Sequence, residues 1–269
     1  MLTTVIATVA VRTLGLEDKE ASNATSGSPA TSISVSAKPA TADNALKVPA
    51  LKISRDIGDE DWWAAADPID VTPEQSAQLY QMKISEPEDY SRWMREHGAV
   101  DGEYLDTEIT LIGNHPDGVR LMEMRPIVNC SQPLTGTLFY APNAGESGIV
   151  GLGIDLDDPY PTGRIIKPDG TLGDEYFKAK KYDLKLGEKV TLNIHATTQE
   201  HYCEYRLQFE FIAGDKTLKR VIDHKGQPFR VTGLLGEPGG NDEYEIEYAG
   251  GVSISDPTKK VAWQRVDSA

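Results

Sequence analysis

Three sets of residues in this chain have types that can do chemistry. The first is Cys130 and Cys203, its two cysteines. Cys203 stands two residues after His201, and a thiolate beside an imidazole can act as a nucleophile. Both cysteines also sit in strand-like runs far apart in sequence, which fits one disulfide pinning the two sheets of a sandwich. The disulfide needs fewer assumptions, and it places the protein outside the reducing cytosol.

The second set is the acidic run Asp155-Leu156-Asp157-Asp158. Alternate residues at a strand end point one way, so Asp155 and Asp157 can present two carboxylates to calcium, with Asp158 beside them. Asp169, Asp174 or Glu175 would complete such a site. No EF-hand spacing is present, and a solvated loop accounts for the same residues. The third set is the histidines, His97, His115, His195, His201 and His224. None pair at helical spacing, and there is no H-E-x-x-H. His195 and His201 flank one connection between strands, so zinc would need the fold to unite them.

Other signatures are missing. There is no G-x-S-x-G elbow, phosphate loop or dinucleotide fingerprint. Residues 148–153 are glycine-rich, but in the wrong order and with no helix after them. Glycosidase chemistry needs two facing carboxylates, and no two stand out in this sequence. Trp62, Trp63, Tyr140, Tyr160 and Trp263 are candidates for stacking on sugars, although large aromatics more often fill cores.

The elements that must position these groups are mostly strands. From Tyr104 onward the apolar period is two. Residues 107–112 and 119–124 flank Asn114-His115-Pro116-Asp117-Gly118, whose Pro, Asp and Gly predict a hairpin turn. Further strands are expected at 136–140, 149–154, 182–184, 190–194, 205–212, 217–222 and 228–232. Many short strands with regular turn signals indicate an antiparallel sandwich. Before them, Thr72-Pro73-Glu74-Gln75 reads as an N-cap, a first-turn proline and a capping-box Gln. Ser85-Glu86-Pro87-Glu88 repeats the device, and Gly98 suits a left-handed cap. A short helical hairpin follows, in which Leu79 and Met82 share a face of the first helix and Tyr90, Trp93 and Met94 share one of the second.

The net charge of −15 over 269 residues argues against nucleic acid or an anionic membrane surface as the main partner. Residues 2–11 are apolar but too short to span a bilayer. They read either as the end of a truncated anchor or signal, or as an edge strand. The anchor is favoured by what comes next, a Ser-, Thr-, Ala- and Pro-rich stretch that cannot bury enough apolar area to order itself.

Leu184-Lys185-Leu186-Gly187-Glu188-Lys189-Val190-Thr191-Leu192-Asn193-Ile194 resembles a segment common in immunoglobulin-like sandwich domains of bacterial surface proteins, where Gly-Glu marks the turn between two strands. With residues 129–140 and 202–232, the C-terminal half resembles single-anchor extracytoplasmic proteins of actinobacteria. That resemblance implies a fold and a location and imports no activity.

The expected organisation is an anchor or signal remnant over 1–16, a disordered stalk over 17–58, a helical hairpin over 59–100 and an antiparallel immunoglobulin-like β-sandwich over 101–269. The expected function is a non-enzymatic, membrane-tethered binding or sensor module outside the cytoplasm, without a cofactor other than a calcium ion at Asp155, Asp157 and Asp158. Its partner would be a protein or a cell-surface ligand, met by the loops 143–148 and 155–173. The alternative is a secreted hydrolase that cuts glycan or wall polymer with paired carboxylates.

Overall fold

Alternation of apolar and polar residues builds most of the molecule. The computed structural model describes residues 41–54, 61–141, 151–236, 243–250 and 262–266. The expected anchor and most of the expected stalk lie outside these residues, as does the loop 143–148. In chain order the first elements are α1 (Ala42–Ala45), β1 (Leu46–Ser54), β2 (Asp61–Ala65), α2 (Pro73–Ser85), α3 (Pro87–Glu96), β3 (Ala99–Gly102), β4 (Tyr104–Gly113), β5 (Val119–Ser131) and β6 (Thr137–Ala141). There follow β7 (Leu152–Asp155), β8 (Arg164–Ile166), β9 (Leu172–Glu175), α4 (Tyr176–Ala179), β10 (Tyr182–Leu184) and β11 (Lys189–Thr197). The last are β12 (Tyr202–Ala213), β13 (Lys216–Ile222), β14 (Phe229–Thr232), β15 (Ile246–Ala249) and β16 (Gln264–Val266).

The strands form two sheets. One has the order β1-β4-β11-β7-β8-β9, and the other β10-β5-β12-β14-β3-β2-β6-β15-β16, with β13 also paired to β12. The first sheet and the β5–β12 end of the second face each other across one core. Leu105, Ile109 and Leu111 of β4 and Leu192 and Ile194 of β11 meet Leu207, Phe209 and Phe211 of β12 there. Along β12 every second residue from Cys203 to Ala213 is buried, while Glu204, Arg206, Gln208 and Glu210 turn outward. The protein is therefore mainly β, as expected.

The sheets are mixed, however, and not antiparallel throughout. β11 with β7, β14 with β3, and β15 with β6 run parallel. Parallel partners require long connections, so they come from remote segments that a local reading cannot join. The turn at 114–118 also differs from the expected hairpin. β4 pairs with β1 and β11, whereas β5 pairs with β10 and β12. The turn reverses the chain, but it carries it from one sheet to the other so that both apolar faces meet.

Two boundaries move. The expected stalk ends early, because Leu46–Ser54 is a strand paired with β4. Leu51 and Ile53 pack against the core, and Pro49, which has no N–H to donate, falls at the register shift between Lys47 and Ala50. The helical hairpin, in turn, is inserted between paired strands β2 and β3. Leu79, Tyr90 and Met94 bury against Trp63, Phe139 and Tyr248, so the hairpin covers the second sheet. The Thr72–Gln75 capping box forms in both directions. No side chain caps α3, because Ser85 ends α2 and bonds Gln81 instead. Among the described residues, no helix is long and apolar enough to cross a membrane.

A buried carboxylate ties hairpin to sheet. Asp61 accepts from Trp63 Nε1 at 2.6 Å and Tyr90 Oη at 2.7 Å, and Lys83 Nζ lies 3.0 Å from it. One residue of β2 thereby holds one from each helix.

The disulfide forms, but inside one sheet. Cys130 and Cys203 are directly opposite on β5 and β12, with Cα atoms 4.2 Å apart. The expectation of a bond between two sheets fails because both strands share the same sheet. Cys130→Ser combined with Cys203→Ser frees a loop closed over 73 positions and should cost about 4.4 kcal/mol by chain entropy. An unchanged thermal melt would refute this. Asp61→Ala strips the acceptor from two buried donors and should cost about 3 kcal/mol, read from denaturant midpoints.

Candidate functional site

The loop from Asp155 to Gly163 contains Pro159 and Pro161 on either side of Tyr160. Each proline fixes its own φ and drives the residue before it toward extended backbone. Tyr160 is further held by its N–H, which donates to Asp158 Oδ1 at 2.8 Å. The result is a stiff tip, and the Tyr160 side chain is 84% exposed on it.

Both ends of the loop are pinned. Leu156 is buried in the core, and its N–H donates to the Thr197 carbonyl at 2.9 Å. At the other end Gly163 N donates to the Met124 carbonyl of β5 at 3.0 Å. A Cβ on Gly163 would lie 2.9 Å from the tips of the Leu152 and Met124 side chains, which would have to shift to admit it.

The strongest pin is Asp157. Its carboxylate accepts from Thr198 Oγ1 at 2.8 Å, Gln199 N at 2.7 Å, Glu200 N at 3.3 Å and His201 Nδ1 at 2.8 Å. The loop is thus sewn to the turn between β11 and β12, just before Cys203. That turn is anchored again, since Thr198 N donates to the Glu103 carbonyl and Gly233 N to that of His201. Glu103 has φ of +62°, an unusual conformation outside glycine, and its N–H is fixed on the Thr232 carbonyl. Burial pushes the Asp157 carboxyl up, but the donors from Gln199, His201, Thr198 and Glu200 prevail and hold it below its ordinary value.

The expected calcium ligands have other work here. Asp155 Oδ1 accepts from Asp157 N, Asp158 Oδ1 caps Tyr160, and Asp157 serves the turn. Among the described residues, no group of three His, Cys, Asp or Glu side chains could hold a metal ion. His195 and His201 pair with different carboxylates, Asp106 at 2.7 Å and Asp157 at 2.8 Å. The nucleophilic pairing of Cys203 with His201 does not arise, because Cys203 is in the disulfide.

Four of the five aromatics raised for stacking belong to packed clusters: Trp63 and Trp263 in one, Tyr140 and Trp62 in the next. Tyr160 alone of the five projects. A concave feature elsewhere is a cleft of about 410 Å³ between residues 116–120 and 183–186. Its Asp183 is bonded to the Arg120 guanidinium, which holds the carboxyl below its usual value. Paired-carboxylate hydrolysis needs one partner kept protonated and one kept ionised, and Asp183 suits only the ionised role.

Thr198, Gln199 and Glu200 escaped the sequence reading. Nothing local links Asp157 to a turn about forty residues away, and the backbone donors of that turn carry no side-chain signature.

Asp157 has a depressed folded-state value, so its contribution is complete above the unfolded value of about 3.9 and is lost as pH falls through the folded value. Asp157→Asn should lose about 1–3 kcal/mol near neutral pH. Its stability should also fall less steeply than the wild type's below pH 4, as urea titrations across that range would show.

Comparison with family models, with curated proteins and with solved structures returns no match for this chain.

Proposed function

We propose that the chain is a non-enzymatic, extracytoplasmic binding module that grips a protein or cell-surface ligand with the 155–163 loop. The observation that carries this reading is Tyr160, an almost fully exposed aromatic on a tip stiffened by two prolines and pinned at both ends. An aromatic ring contributes large apolar area with a polar hydroxyl, and tyrosine is enriched among interface hot spots. A tip already rigid before contact loses little conformational entropy on binding. The two-sheet half would then serve as immunoglobulin-like domains do, as a frame whose end loops bind.

The disulfide supports a location outside the cytosol, since such bonds persist in oxidising compartments. The apolar run at 2–11 followed by the Ser- and Pro-rich stretch supports a membrane tether. The acidic net charge supports a partner other than nucleic acid.

The test is retention of the purified chain on intact cells and on insoluble wall polymer. Tyr160→Ala should weaken retention about tenfold or more with an unchanged melt, while Leu186→Ala, an exposed apolar residue elsewhere, should not. Equal retention by both variants would remove Tyr160 from the site. Release of soluble sugar from the polymer would favour the hydrolase instead.

A further inference from the structure

The geometry points to a second interaction surface, the outer edge of β5, and to a second copy of this chain as its partner. β5 pairs with β12 along its whole length, but on its other side β10 covers only Val119–Leu121. At Met124 the outward carbonyl is taken by Gly163. Between Arg125 and Ser131, where β5 ends, no described strand or loop pairs with that side.

Which groups point outward follows from the ladder. Antiparallel residues alternate between pairs that bond each other and pairs whose N–H and C=O face away. The Met124 carbonyl faces away from β12, and the register with β12 is unbroken from Met124 to Cys130. Pro126, Val128 and Cys130 therefore also face away. The close approach of the Cys130 and Cys203 Cα atoms, 4.2 Å, marks the same kind of pair. The open edge offers three carbonyls and two N–H groups, because Pro126 has no donor.

We propose that two chains join these edges antiparallel about a two-fold axis through Val128. The open window is bounded by Gly163 at one end and by the end of β5 at the other. Two such windows overlap fully only in the register that sets Val128 against Val128 of the second copy. There the two Val128 residues exchange both hydrogen bonds, and each Cys130 N–H donates to a Pro126 carbonyl across the axis. Every outward N–H finds an acceptor, and the missing donor of Pro126 leaves only a carbonyl for water to solvate. On the exposed face, Arg125 meets Ser131 and Ile127 meets Asn129, so no like charges oppose each other. Ile127 is 50% exposed in the single chain and would gain cover. At Gln132 β5 has ended and the chain bends.

A seven-residue edge buries far less than the roughly 1,200–2,000 Å² of a stable interface, so the dimer forms only at high concentration. The expected dissociation constant lies between about 10 µM and about 1 mM. Sedimentation of the full chain across that range should show mass rising from one chain toward two. The double variant Ile127→Glu with Asn129→Glu sets carboxylate against carboxylate at both Ile127–Asn129 pairs beside the axis and should weaken the dimer at least about tenfold. Ile127→Lys with Asn129→Glu sets ammonium against carboxylate and should restore it. Both sites are exposed, and unchanged melts will show that the single chain is intact. A wild type that stays one chain throughout, or a mass indifferent to the first double variant, would overturn the proposal. Failure of the second to recover the dimer would overturn the register.

Discussion

The pairing of β5 with β12 is the constraint on which the rest depends. Twelve residues of β12 are matched against β5, with one irregularity at Glu210 and Phe211. On its other side β12 divides its length, giving Leu207–Ala213 to β13 and Tyr202–Tyr205 to β14. Its buried face supplies Tyr205, Leu207, Phe209 and Phe211 to the main core. Through β14 it also carries the sheet on to β3, β2 and β6, against which the helices pack. The disulfide fixes this pairing at the end where the sheet passes from one half to the other.

The loop that carries Tyr160 is a by-product of the same arrangement. One end hangs on Met124 of β5 and the other on the turn that leads into β12. The tip is rigid because the two strands beneath it cannot move apart. Function in this reading is presented by a loop and enforced by a sheet, which is the usual division between variable contacts and a fixed frame.

Much of the frame was legible in the sequence. Alternation in 202–213, the Pro-Asp-Gly turn, the Thr72–Gln75 capping box and the left-handed Gly98 are all local, and local chemistry decides them. What was not legible depends on partners far along the chain. β2 fell inside the segment expected as a helical hairpin, because Trp62 and Trp63 are apolar on both faces and show no strand alternation. It became a central strand because Ala64 and Trp63 each face a different cluster. The acidic run 155–158 read as a cation site because free carboxylates and hydrogen-bonded ones look the same in sequence. Only the fold revealed four donors waiting for Asp157. The loop was visible as part of 155–173, but Tyr160 stood there as one of five aromatics, because exposed rings and core rings look the same in sequence.

Pro126 has a further meaning in the order of synthesis. Cys130 leaves the ribosome 73 residues before Cys203, which at about 5–20 residues per second is a delay of several seconds. During that interval β5 lacks β12, and both its edges are bare. A thirteen-residue strand in that state is a template for any other extended chain. Proline in its middle, with Glu123 and Arg125 just before it, interrupts the ladder on one side while the legitimate partner is still being made. Because the missing donor faces the outer edge, it takes no bond from the pairing with β12 and weakens only the edge that a stray strand would use.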